Sequence, residues 1–222
     1  MNNYKRITIF AGHYGSGKTN IAVNYALRLR EETGEKVSLA DLDIVNPYYR
    51  AKDSTDILAE KGIRLISSDF ANSNVDLPAL PGEAYSIIDD AETYAVCDVG
   101  GDDRGAYALG RYREGILKED YEMLLVINKY RPLTRNISDL REIMAEIETA
   151  AGIPFTGIVN NSNLGLETTK EDVEASYEYA RKAAEVTGLP IRFTTVWEKI
   201  YPEFKENTEN LIPISLQERD FF

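Results

Sequence analysis

Short apolar runs alternate with amphipathic stretches along the whole chain. Seven of these runs predict β-strands: Arg6–Ala11, Lys36–Ala40, Ile63–Ser67, Tyr94–Asp98, Met123–Ile127, Phe155–Val159 and Ile191–Phe193. The stretches between them carry apolar residues at helical spacing, and this alternation is typical of parallel βαβ units. The pattern therefore predicts an α/β fold, with a doubly wound, mainly parallel β-sheet flanked by helices on both faces.

Three of the helical stretches have recognisable ends. The first runs from Lys18 to about Arg30. The second is stopped by Gly152, and its apolar face is formed by Ile137, Leu140, Ile143, Met144 and Ile147. The third has the spacing of a capping box at Thr168 and Glu171 and ends before Gly188.

Composition favours a cytoplasmic protein with a single domain. No linker or repeat interrupts residues 1–222, a length that suits one domain with a large core. Cys97 is the single cysteine, no apolar leader precedes the first strand, and no apolar run approaches a membrane span. The net charge of −12 predicts no binding to nucleic acid and none to anionic membranes.

Residues 12 to 19 read G-H-Y-G-S-G-K-T, a complete phosphate-binding loop. A chance glycine-rich turn is disfavoured because a predicted strand precedes the motif and a predicted helix follows it. Lys18 is predicted to reach the β- and γ-phosphates of a nucleotide and to serve catalysis, and the Thr19 hydroxyl to ligate Mg²⁺. The residues predicted to bind the nucleotide here are Gly12, Gly15, Ser16, Gly17, Lys18, Thr19 and Asn20.

Two acidic segments follow other predicted strands. Asp41 and Asp43, two residues apart on an extended segment, point the same way. We assign Asp43 to orienting water and Asp41 to the metal; a solvated acidic turn is the alternative. Asp98 closes an apolar strand, as expected for a carboxylate that holds Mg²⁺, and Gly100 with Gly101 would form a turn that senses the γ-phosphate.

Two segments are candidates for reading the base. Residues 128–131 read N-K-Y-R, with Arg131 where a guanine-selecting N-K-x-D signature has its Asp. The run from Asn160 to Asn163 also lacks that Asp, and an Asn amide matches the donor and acceptor pattern of adenine. These features favour ATP over GTP, although the Asn run also suits ordinary turn chemistry.

Taken together, Gly12–Thr19, Asp41–Asp43 and Asp98–Gly101 resemble the ParA/MinD family of P-loop ATPases, which includes nitrogenase iron protein. The likeness extends through residues 155–163 and 211–214. It implies an ATP- and Mg²⁺-dependent homodimer that hydrolyses ATP to reset an interaction with a protein partner. By position, it implies that Lys18, Thr19, Asp43 and Asp98 act on phosphate and metal. It also implies that Asn161 and the loop around Thr195 and Val196 contact adenine.

One position departs from the family pattern. Phosphate loops of the family usually carry an early lysine that reaches across the dimer, and here that position is His13. His13 would either be charged near a phosphate or occupy an outward position in the loop. Arg104 is a candidate substitute charge, since an arginine supplied by a partner can stabilise phosphoryl transfer.

Specialised members of this family carry features that this sequence lacks, which narrows the roles to be expected. It has neither the paired cysteines of a metal-cluster protein nor the amphipathic terminal helix of MinD. Residues Tyr48–Arg50 would form part of a partner surface, or simply begin a helix. The sequence thus predicts an ATP switch acting on an unidentified protein. The alternatives are a small-molecule kinase or ligase, and a nucleotide-binding module with little hydrolysis.

Overall fold

All eight strands in the described part of the chain belong to one parallel sheet. The structure, a computed structural model, describes residues 4–43, 54–67, 85–101, 103–204 and 210–216, without the side chains of residues 103 and 104. The strand order is 3-2-4-1-5-6-7-8. The strands are β1 (Ile7–Ala11), β2 (Val37–Leu42), β3 (Arg64–Ser67), β4 (Tyr94–Val99), β5 (Tyr121–Ile127), β6 (Gly157–Asn160), β7 (Ile191–Trp197) and β8 (Leu211–Ile214).

The helices of the described residues connect these strands. They are α1 (Lys18–Thr33), α2 (Thr55–Glu60), α3 (Ser86–Asp89), α4 (Asp103–Gly110), α5 (Arg113–Ile116), α6 (Leu140–Ala151) and α7 (Lys170–Thr187). Short 3₁₀ turns occur at Ile137–Asp139, Gly165–Glu167 and Tyr201–Glu203.

The ends of the helices largely follow the glycines in the sequence. Gly152 and Gly188 end α6 and α7 in the left-handed conformation, as predicted. The predicted capping box on Thr168 and Glu171 is wrong by one residue, because Thr169 and Asp172 form it instead. The Thr168 hydroxyl donates to the Gly165 carbonyl oxygen, which commits it to the preceding turn.

Two apolar layers enclose the sheet, and they confirm the doubly wound α/β fold. Ile21, Ala26 and Leu29 of α1 pack on one face against side chains such as Phe10 and Val96. Helices α4, α6 and α7 cover the other face, where Ile9, Cys97 and Leu125 lie. Central strands buried on both faces explain why the sequence reads as near-continuous apolar runs there.

The sheet extends further than the sequence predicts. The seven predicted strands are all present with shifted ends, and β7 continues four residues beyond Phe193 to Trp197. β8 is additional, and its Pro213 is tolerated because β8 lies at the edge of the sheet. Tyr48–Arg50, proposed as a partner surface, lie outside the described residues. No helix in the described ranges is both long and apolar enough to cross a membrane.

Candidate nucleotide-binding site

The phosphate loop connects β1 to α1 at the carboxyl edge of the sheet, next to β4 and β5. Gly12, Gly15 and Gly17 have positive φ angles of 143°, 77° and 91°, which favour glycine. A Cβ on Gly12 would lie only 2.7 Å from the Val126 carbonyl oxygen of β5. The predicted glycines are therefore required by backbone angle and, at Gly12, also by close packing.

Lys18 lies across this loop and is nearly buried, with 6% of its surface exposed. Its ammonium donates to the His13 carbonyl oxygen at 3.1 Å, and the Ser16 N–H donates to the same oxygen at 3.3 Å. Thr19 is buried beside it at the start of α1. The loop thus closes on itself with a cation held at its centre, an arrangement suited to an anion.

Asp98 and Asp41 are direct neighbours on the paired strands β4 and β2. Asp98 is 1% exposed, and within the described ranges the nearby Thr19 side chain is the polar group that interacts with its carboxylate, whose oxygens have no other hydrogen-bond partner there. Burial and the Asp41 charge raise the pKa of Asp98, whereas the nearby Thr19 and Lys18 favour its charged form. A buried carboxylate without a partner is costly unless a cation or donor joins it.

These residues fit a Mg²⁺ ion that the nucleotide would bring. Oxygen atoms of Thr19, Asp41 and Asp98 are the hard donors that Mg²⁺ prefers. Among the described residues, His, Cys, Asp and Glu side chains nowhere gather in a group of three that would hold a metal alone. Phosphate oxygens and water would therefore complete the coordination, as is usual for Mg²⁺.

Replacing Asp98 with asparagine is expected to stabilise the nucleotide-free protein at neutral pH. The pKa of Asp98 is raised in the folded state, so the charged carboxylate costs stability once the pH exceeds the unfolded pKa. We expect a gain of about 1–3 kcal/mol in the free energy of unfolding, measured by urea denaturation in EDTA near pH 7. The gain should shrink as the pH falls toward about 4.

The same Asp98→Asn variant should be stabilised less than the wild type when Mg²⁺ and a nucleoside triphosphate are added in a thermal unfolding experiment. Asp120→Asn serves as the control, because Asp120 is exposed and pairs only at the surface with Lys5. If Asp98→Asn lowers the free energy of unfolding by more than the control does, the claim that the buried Asp98 carboxylate destabilises the folded protein is contradicted.

Asp43 lies beside the glycine turn that follows β4. Its backbone N–H donates to Asp41 Oδ1 at 3.1 Å, and a Cβ on Gly100 would lie 3.1 Å from Asp43 Oδ1. A Cβ on Gly101 would lie 2.6 Å from the Tyr14 backbone nitrogen. The two predicted switch segments thus touch each other, and the second also touches the phosphate loop.

Sequence reasoning missed Gly105, which lies in α4 and packs against this turn. A Cβ on Gly105 would lie 2.6 Å from the Gly100 nitrogen. Three glycines in the six residues from Gly100 to Gly105 were the available signal for such close approach. They let the backbone after β4 pack tightly between the phosphate loop and α4.

His13 is half-buried in the loop, and its surroundings favour the neutral ring. Its Nδ1 accepts the Tyr14 backbone N–H at 2.8 Å, which leaves the proton on Nε2. Burial and the Lys18 charge lower the pKa of His13, so the ring is uncharged at neutral pH. Arg104, predicted to supply the charge that the family lysine would provide, has a side chain that lies outside the described residues.

The N-K-Y-R segment after β5 is tied to α7 rather than left open. The Lys129 ammonium donates to the Ala175 carbonyl oxygen at 2.9 Å, and the Tyr130 hydroxyl donates to the Asp172 carbonyl oxygen at 2.8 Å. Arg131 is exposed. No carboxylate stands in this segment to select guanine.

Asn160 and Asn161 follow β6 and both have partners within the protein. Asn160 is fully buried. Its side-chain Nδ2 donates to Ser176 Oγ at 2.8 Å, and its side-chain Oδ1 accepts from the Ser162 hydroxyl. Asn161 donates to the Ser16 carbonyl oxygen of the phosphate loop at 2.7 Å. Both amides are used in the manner expected of turn and core chemistry.

The remaining residues predicted to bind the nucleotide lie on β7 and α1. The interpretation of Thr195 and Val196 as a loop is wrong, because both are buried residues within β7. The loop at this edge begins after Trp197. Asn20 donates to the Ser215 carbonyl oxygen at 2.9 Å and so joins α1 to the segment after β8.

Comparisons with known proteins relate the chain by fold. No family model and no curated protein matches it. The 54 kDa signal recognition particle protein of Aeropyrum pernix K1, solved with GDP, is 19% identical with a TM-score of 0.55, covering 87% of this chain and 42% of its own. FtsY of Thermotoga maritima is 19% identical with a TM-score of 0.58, covering 98% and 67%. FtsY of Mycoplasma mycoides is 21% identical with a TM-score of 0.53, covering 88% and 61%.

These neighbours agree with the architecture read from the strands and the phosphate loop. The chain spans less than half of the first of them, and identities near 20% establish the fold alone. A sheet of parallel strands, helices on both faces and a glycine-rich loop after the central strand β1 make up the P-loop NTPase fold. The chain therefore has an α/β fold of the P-loop NTPase type.

Proposed function

We propose that the chain is a Mg²⁺- and ATP-binding P-loop ATPase of the ParA/MinD type, whose hydrolysis of ATP gates a protein–protein interaction in the cytoplasm. The observation that carries this proposal is Asp98. In the described part of the chain its carboxylate is buried beside Thr19 and Lys18 of a complete phosphate loop, and it has no hydrogen-bond partner there apart from Thr19. A cation bound with a triphosphate would satisfy it.

The residues of the chain divide the work of phosphoryl transfer to water. Lys18 and the N–H groups of the loop bind the β- and γ-phosphates and offset charge as it develops. Thr19 and Asp98 would hold the Mg²⁺ ion, which would neutralise phosphate charge, and Asp41 would support them. Asp43 orients the attacking water from its place beside Gly100.

ATP is the nucleotide that the base-reading segments favour. Arg131 stands where a guanine-selecting carboxylate would, and the Lys129 and Tyr130 side chains are committed to α7. The signal recognition particle protein named above was solved with GDP, so its fold accepts guanine nucleotides as well. Selectivity must therefore come from local residues.

Competition between ATP and GTP for a fluorescent nucleotide tests this assignment. We expect ATP to bind at least about tenfold more tightly, a difference that one or two net hydrogen bonds can supply. The comparison variant is Arg131→Asp, which introduces a carboxylate where the guanine-selecting signature has one. It should reduce the preference for ATP over GTP. Tighter binding of GTP by the wild type would overturn the assignment to ATP.

Phosphate release distinguishes the ATPase from the other candidate functions. Slow release in buffer that a protein partner accelerates supports the switch. Transfer to an added metabolite would indicate a kinase or ligase. Binding without turnover would indicate a nucleotide-binding module, an alternative that His13 in place of the family lysine permits.

A further inference from the structure

A buried amide connects the phosphate loop to the centre of the sheet. Asn161 is 2% exposed and follows the carboxyl end of β6. Its Nδ2 donates to the Ser16 carbonyl oxygen at 2.7 Å, and its Oδ1 accepts the Thr195 hydroxyl of β7 at 2.5 Å. Its backbone N–H donates to the Ile127 carbonyl oxygen of β5 at 2.8 Å. Asn161 is thus fixed from both neighbouring strands.

The orientation of this amide is set by its partners. A backbone carbonyl only accepts hydrogen bonds, so the Ser16 oxygen must face the NH₂ group of Asn161. The Oδ1 atom also accepts from Asn163 Nδ2 at 3.1 Å. Both ends of the Asn161 amide are consequently committed before any nucleotide arrives.

Holding the Ser16 carbonyl also orients the next N–H group. In a planar trans peptide the carbonyl and the following N–H point in opposite directions. When Asn161 binds the Ser16 carbonyl oxygen, the Gly17 N–H is turned to the opposite side. Gly17 N–H is one of the loop groups that a phosphate would bind, so the amide pre-orients a donor for the anion.

Gly17 shows how closely the amide is packed. A Cβ on Gly17 would lie 2.3 Å from Asn161 Nδ2, and the φ angle of Gly17 is 91°. The last glycine of the loop is therefore needed partly to admit the Asn161 side chain.

We propose that Asn161 is a positioning residue for the phosphate loop, supported by Thr195, and that it acts on the triphosphate chain rather than on the base. This inference rests on the proposed nucleotide binding. It reassigns two residues that the sequence places at the adenine. The ligand it serves is the triphosphate moiety of any nucleotide that enters the site.

The test measures the affinities of ATP, GTP and base-free tripolyphosphate, each with Mg²⁺, for the wild type and for Asn161→Ala. A positioning role predicts that the variant binds all three more weakly by a similar factor of about tenfold or more. Thr195→Val, which removes only the supporting hydroxyl, should give a smaller loss of the same kind.

Ser176→Ala is the matched control for stability. Ser176 is fully buried, and its hydroxyl accepts from the neighbouring Asn160 and donates to the Val173 carbonyl oxygen of α7. Thermal unfolding without nucleotide should show similar losses for Ser176→Ala and Asn161→Ala, whereas only the second should weaken binding. A merely structural Asn161 would lower the unfolding temperature without changing tripolyphosphate affinity.

The outcomes separate this inference from the proposed function. Loss of ATP affinity with unchanged affinity for tripolyphosphate would make Asn161 a base reader and overturn the positioning role. A folded Asn161→Ala variant that binds every ligand as the wild type does would also overturn it. Failure of the wild type itself to bind any of the three would instead refute nucleotide binding, and the positioning role with it.

Discussion

Replacing Lys18 with alanine is expected to lower the affinity for Mg²⁺ and ATP by roughly 10²-fold or more. The ammonium is nearly buried in the phosphate loop, where it already bonds the His13 carbonyl oxygen. Charge-assisted hydrogen bonds to phosphate contribute about 1.5–3 kcal/mol each, and no other described cation occupies the loop to replace them. Isothermal titration with Mg²⁺ and ATP is the measurement.

The control for this substitution is Lys182→Ala. Lys182 pairs with Glu178 on the exposed side of α7 and should leave ATP affinity unchanged. Affinity like that of the wild type in Lys18→Ala would show that residues 12–19 are a glycine-rich turn without a phosphate-binding role.

Replacing Asp43 with alanine is expected to lower turnover by about 10²- to 10³-fold while ATP binding stays close to that of the wild type. The carboxylate is proposed to orient water in the transition state, and such groups contribute to kcat rather than to ground-state binding. Its position beside Gly100 places it next to the turn proposed to sense the γ-phosphate. Steady-state phosphate release and titration with ATP together provide the measurement.

The opposite pattern would reassign Asp43. If turnover per bound ATP is unchanged while affinity collapses, Asp43 acts on the metal or on the folding of the turn. Asp139→Ala is a suitable control. Asp139 is exposed in the 3₁₀ turn before α6, and its carboxylate accepts from the side chains of Asn136 and Ser138.

The fold was predictable because its signals are local. Each central strand is an apolar run buried on both faces, and the glycines that stop α6 and α7 need only a left-handed residue at one position. The edge strand β8 was harder, because Leu211–Ile214 is short and contains a proline. Its pairing with β7 depends on contacts distant in sequence.

The candidate site was predictable in its motifs but not in its contacts. The spacing of the phosphate loop fixes its backbone angles, and strand ends fix where Asp41 and Asp98 lie. The pairing of Asn161 with Ser16 joins residues 145 positions apart, and no local pattern indicates it. The position of Thr195 within β7 was also not predictable, because the two polar threonines, Thr194 and Thr195, lack the apolar signal of a buried strand.

Nucleotide-controlled self-association tests the central claim most directly. Light scattering on the slow Asp43→Ala variant gives the molar mass with Mg²⁺ and ATP, and again with Mg²⁺ and ADP. ATP can favour a dimer only through a higher affinity for the dimer than for the monomer. Because His13 stands where the family that the sequence resembles has a lysine that reaches across the dimer, we expect that difference to be small. We therefore predict, at high protein concentration, a mass that rises toward twice the 25.0 kDa of the chain with ATP and remains at the monomer value with ADP. A monomer in both states, with bound ATP confirmed, would contradict the switch and favour a monomeric kinase or ligase.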